Sequence, residues 1–120
     1  MAHGIMNDMA GERFDVFSAG ISPRNVHPAA IEVMREIGID ISHYKSNHIE
    51  DYINKDINFV ITVCNNANSN CPIFAGDLIR EHWSIDDPFR NWSFNKKDLE
   101  VFRNTRNVIN EKISDFLINI

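Results

Sequence analysis

Cysteine is nearly absent from this chain: its 120 residues include two, Cys64 and Cys71. Two thiols are too few for a disulfide scaffold. A reducing cytoplasm is therefore the expected compartment, where a disulfide would be transient and chemical in purpose. Long apolar runs are missing too. The longest, residues 59–64, has Thr62 inside it and falls far short of a membrane span. The opening Met1-Ala2-His3-Gly4-Ile5-Met6-Asn7-Asp8 has neither a basic region nor an apolar one, so no secretory signal is expected. Positive charge is in the minority. A formal net charge of −5 argues against a nucleic-acid partner, which needs a basic face. No glycine-rich phosphate cradle is present. His3, His27, His43, His48 and His82 are scattered, without the paired spacing of a zinc site. No metal or bound cofactor is therefore expected.

What is present suits one domain spanning residues 1–120, with 43% hydrophobic and 24% charged residues and no repeat or linker. Residues 2–10 read as a helix with Ile5, Met6, Met9 and Ala10 on one face and Gly11 as its stop. No capping side chain precedes it. Residues 14–18 read as a short strand, and 20–24, with Pro23, as a turn-rich loop. Residues 28–37 form the clearest helix, with Pro28 at its first position and Gly38 as a left-handed stop. Its expected apolar face is Ala30, Ile31, Met34 and Ile37. Ile39 and Ile41 alternate with polar residues in a short extended stretch, and 49–53 make one or two helical turns. Residues 58–63 read as a strand buried on both faces, since apolar residues do not alternate with polar ones there. Residues 81–85 are a second strand. The last helix runs from about 97 to 117, with Leu99, Phe102, Ile109, Ile113 and Phe116 at helical spacing. Arg103 and Arg106 are placed on its solvated face.

Strands alternating with helices imply an α/β fold, a parallel sheet flanked by helices. Ligands in such folds bind beyond the carboxyl ends of the strands, and Cys64 and Asp87 both fall at such ends. A thiolate at a strand end can attack an electrophile, and a second thiol seven positions on can resolve the product. The intervening loop is polar and has no apolar anchor. Spacing alone leaves a second reading open, two inert buried cysteines. Asp86-Asp87-Pro88 likewise reads either as a carboxyl acid in a strand-end loop or as a turn start.

Together these pieces resemble the thioredoxin-coupled arsenate reductases, which share the fold of low-molecular-weight protein tyrosine phosphatases. The matching segments are Ser18-Ala19-Gly20, Pro28-Ala29-Ala30-Ile31-Glu32-Val33-Met34 and Gly38-Ile39-Asp40-Ile41-Ser42. They continue with Val60-Ile61-Thr62-Val63-Cys64-Asn65-Asn66-Ala67, Cys71-Pro72, His82-Trp83, Asp86-Asp87-Pro88, Phe102-Arg103 and Arg106. The cysteine pair followed by His-Trp and Asp-Asp-Pro is the specific part, because plain phosphatases of this fold lack that pair. The resemblance implies arsenate reduction in arsenic detoxification. A cysteine in an N-terminal CX5R loop attacks arsenate, and Asp87 matches the acid that protonates the leaving oxygen. Cys64 matches the second cysteine, which releases arsenite, and Cys71 the third, which carries the disulfide to thioredoxin. Arsenate or a similar oxyanion and thioredoxin are thus the implied partners, with no cofactor bound.

The sequence departs from that pattern at its start. No cysteine precedes Cys64, and no cysteine stands at CX5R spacing from an arginine; Arg13 and Arg24 do not fill the role. Asn65 stands where relatives often carry aspartate. The chain is expected to be N-terminally truncated, lacking the central strand and the CX5R loop, and inactive alone. Burying about five apolar side chains of such a strand would contribute roughly 8–15 kcal/mol, similar to a domain's whole net stability of about 5–15 kcal/mol. The isolated chain is therefore expected to be marginal, or to close the gap by pairing its two flanking strands, by swapping, or as a homo-oligomer. A non-catalytic binding or redox-relay domain, or a phosphatase-like protein acting on another oxyanion, are the alternative functions.

Overall fold

In the computed structural model the described residues are 1–20, 25–45, 47–63, 78–92 and 95–120. The expected turn-rich loop 20–24 lies outside them except for Gly20. The order is α1 (Ala2–Ala10), β1 (Ala19–Gly20), α2 (Pro28–Arg35), β2 (Asn47–His48), a 3-10 turn (Ile49–Asp51), β3 (Phe59–Thr62), β4 (Ile79–His82) and α3 (Lys96–Asn119). Parallel pairing is present as expected, but among the described residues it forms two two-stranded sheets rather than one, β1 with β2 and β3 with β4.

Local chemistry explains the helix ends. Pro28 sits at the start of α2, as its fixed φ favours. Gly38 closes it at φ 79°, a conformation in which any Cβ would be strained. The Gly38 N–H donates to Arg35 O at 3.0 Å and the Ile39 N–H to Met34 O at 3.1 Å, the paired bonds of a Schellman stop. Gly11 ends α1 differently, in right-handed geometry at φ −62°. No side chain caps the start of α1, matching the sequence reading. α3 begins one residue before its expected start because Asn95 and Asp98 cap each other's backbone reciprocally.

The core gathers Ile5 of α1, Ala29, Ala30, Val33 and Met34 of α2, Ile41, Trp83 and Ile85, and Phe102, Ile109, Ile113 and Phe116 of α3. The buried face of α2 is rotated from the expected one: Val33 is fully buried and Ile37 is 42% exposed. Ile37 falls past the last helical turn and swings outward at the glycine stop.

Four strand expectations are corrected. Residues 14–18 form no ladder; the pairing begins at Ala19. Their burial still alternates, with Phe14, Val16 and Ser18 partly covered, so the two-residue period is real but no strand lies beside them among the described residues. The flanking strands do not pair directly. Phe14 instead meets Phe59 edge-on, ring centroids 5.6 Å apart. β3 is half-buried at all four positions rather than enclosed on both faces, because its single described neighbour, β4, is itself exposed throughout. The second strand spans 79–82 rather than 81–85, with Trp83 and Ile85 dropping into the core beyond it.

Arg103 and Arg106 do not form a solvated face. Arg106 is 8% exposed and continues the stripe Phe102, Arg106, Ile109, Ile113, Phe116. Its Nη1 donates to Val33 O and to Glu36 Oε1, both at 2.8 Å, across the α2–α3 seam. Arg103 Nη2 donates to Glu36 Oε2 at 2.6 Å. Hydrogen bonding from Arg103, and then from Arg106, lowers the Glu36 carboxyl from 4.5 to about 2. Folding thus favours the ionised form, and the unfolded chain binds more protons as acid is added. Stability contributed by Glu36 is present above pH 4.5 and lost as pH falls toward about 2. In urea unfolding followed against pH, Glu36→Gln should lower the midpoint at neutral pH and flatten its decline across that acid window.

Candidate functional site

The parallel register pairs Phe59 with Ile79, Val60 with Arg80, Ile61 with Glu81 and Thr62 with His82. Both strands therefore end together. The Trp83 N–H donates to Thr62 O at 2.8 Å, and Thr62 Oγ1 lies 2.7 Å from His82 Nδ1. Cys64 follows in sequence two residues after Thr62. Cys64 and Cys71 lie outside the described residues. The ladder has one further consequence. The carbonyls of Asn58 and Thr62 face β4, so the backbone groups of Phe59 and Ile61 face the opposite edge, where no described strand pairs with them.

Asp87 is reached along a short anchored path. Trp83 is 6% exposed and meets Phe116 edge-on at 6.2 Å. Ile85 is also buried, and the chain then surfaces at Asp86 and Asp87, both exposed. Asp87 Oδ1 accepts the Phe89 N–H at 2.9 Å, an aspartate turn. Arg90 Nη1 donates to the carbonyls of Asp87 (2.8 Å) and Phe89 (2.9 Å), tightening the same turn. The turn-start reading of Asp87 therefore describes its local role. An exposed carboxyl is also chemically able to pass a proton.

The loop has an anchor that the sequence reading did not single out. His27, 7% exposed, caps α2 by accepting the Ala29 N–H at Nδ1, 3.0 Å away. Its Nε2 lies 2.6 Å from Asn91 O. Its ring stacks on Phe102 and Trp92, with centroids 4.8 and 5.5 Å away, and meets Phe89 edge-on at 5.6 Å. The available signal was position: His27 immediately precedes the proline that opens α2, the place of a cap, but histidine is not among the favoured capping residues. Trp83 packs into the core just beyond β4. His82 is exposed and bonded to Thr62 instead. Among the described residues no group of three or more His, Cys, Asp or Glu is placed to hold a metal ion, and no helix is long and apolar enough to cross a membrane.

Comparison with known proteins gives a consistent outcome. The family model described as low molecular weight phosphotyrosine protein phosphatase matches residues 1–120. Arsenate reductase 2 of Staphylococcus saprophyticus is 38% identical over 120 residues, 99% of this chain and 86% of that protein. Arsenate reductase 1 of Staphylococcus epidermidis is 39% identical over 97% of this chain and 83% of its own. A solved arsenate reductase in the phosphate binding state matches with a TM-score of 0.81 at 33% identity, covering 99% of this chain and 86% of that one.

Proposed function

Because the chain belongs to the low molecular weight phosphotyrosine protein phosphatase family, among its arsenate reductases, we propose that it serves the reduction of arsenate to arsenite. Cys64, Cys71 and Asp87 are its reacting residues. Arsenate takes up two electrons in becoming arsenite. Two thiols supply them, end as a disulfide, and one arsenate oxygen leaves as water. Asp87 donates the proton to that oxygen. Cys64 attacks the arsenic-bearing sulfur of the first nucleophile, arsenite departs, and Cys71 then displaces that first thiol to leave a Cys64–Cys71 disulfide. The dithiol of thioredoxin reduces this disulfide and restores both thiols. Detoxification of arsenic in the cytoplasm is the corresponding role.

The observation that carries this reading is the common carboxyl end of β3 and β4. Register puts the segment entering Cys64 and the segment leading to Asp87 side by side, as ligand binding at parallel strand ends requires. In this reading the first attack is made by a thiol other than Cys64 and Cys71, the two cysteines of residues 1–120.

Residues 1–120 alone should accordingly show no arsenate turnover when coupled to thioredoxin and its reductase, with NADPH oxidation as the readout. Turnover that disappears in Cys64→Ser would overturn the assignment of the first attack to another thiol.

The edge of β3 away from β4, where no described strand pairs, bears on assembly. Phe59 and Ile61 offer backbone donors and acceptors to a strand on the side away from β4, and such an edge recruits one. We infer that the 120-residue chain closes this edge with a second copy of itself. Sedimentation should then find a concentration-dependent dimer. A monomer at all concentrations that melts cooperatively would sink the inference.

A further inference from the structure

We propose that His27 is a positioning residue of the Asp87 loop: it holds residues 86–92 through its bond to Asn91 O, without touching the oxyanion. The proposal rests on the reading of Asp87 as proton donor, which needs a defined location. A reacting group has to be held within about 0.5 Å of its productive geometry, and Asp87 stands on an exposed turn whose Oδ1 and Arg90 bonds run within the loop itself. His27 ties that loop to two helices.

The hydrogen-bond partners define its state. The Ala29 N–H can only donate, so Nδ1 carries the lone pair. The Asn91 carbonyl can only accept, so Nε2 carries the proton. The ring is therefore neutral, protonated at Nε2 alone, with both nitrogens engaged. Stacking on Phe102 of α3 and Trp92 of the loop sets the plane of the ring. Imidazole thus joins the start of α2, the buried face of α3 and the loop carrying Asp87 in one contact set. A residue that served only as a helix cap would need Nδ1 and nothing else.

That difference makes the two nitrogens separable. The amide oxygen of Asn stands close to the place of Nδ1, and the amide nitrogen of Gln close to the place of Nε2. His27→Asn should keep the α2 cap and lose the loop bond; His27→Gln should lose the cap and keep the loop bond. Native-state amide exchange at Phe89, Arg90, Asn91 and Trp92 reads the loop. His27→Asn should accelerate it about tenfold, the loss expected of a single hydrogen bond and part of a stack, and should weaken the near-ultraviolet signal of Trp92. His27→Gln should restore most of the protection. Equal loop protection in His27→Asn and the unaltered chain, or equal loss in both variants, would overturn the proposal.

A second measurement needs no variant. Nitrogen NMR of the unaltered chain should show His27 as the Nε2–H tautomer with a slowly exchanging proton, and an Nδ1–H tautomer would refute the clamp. Neither readout involves catalysis, so failure of the clamp leaves Asp87 as a candidate acid.

Discussion

The parallel register of β3 and β4 is the constraint on which the site depends. Parallel strands present their carboxyl ends on the same side, and pairing Thr62 with His82 makes these two strands end at the same level. A slip of one residue would turn Phe59 and Ile61 away from the core and Val60 toward it. Phe59 meets Phe116 edge-on at 5.6 Å, so the register is coupled to α3. The same helix carries Phe102 beneath His27 and Arg106 across to α2. One buried stripe on α3 thereby positions the strand entering Cys64, the helix α2 and, through His27, the loop of Asp87.

Much of this was legible in the sequence. Pro28 and Gly38 punctuated α2 correctly because each imposes a backbone geometry by covalent structure alone. The long last helix and four of its core residues followed from helical period. Parallel α/β organisation followed from alternation of element types, and family membership from the cysteine pair with His82-Trp83 and Asp86-Asp87-Pro88. Strand limits were less legible. Residues 14–18 carry a strand's alternation, but a ladder needs a partner, which is a tertiary property that no local pattern encodes.

Two polar residues show where sequence reasoning stopped. Arg106 has the spacing of the core stripe, four residues after Phe102 and three before Ile109, yet its charge assigned it to solvent. Its burial is compensated by Val33 O and Glu36 contributed from another helix. His27 was one of five scattered histidines. Its importance arises from Asn91, Trp92 and Phe102, which lie far along the chain and converge only on folding. Period identifies which positions face inward; it does not identify the partners that make a buried polar group tolerable.

The central claim is that Cys64 and Cys71 are a working thiol pair rather than two inert ones. Its most direct test is redox equilibration of the 120-residue chain with thioredoxin, quenched by alkylation and mapped by peptide mass. The account predicts an intrachain Cys64–Cys71 disulfide that thioredoxin reduces, with a potential above about −270 mV, that of thioredoxin itself. Thiols that stay free under oxidising conditions, or a disulfide that thioredoxin leaves intact, would contradict it.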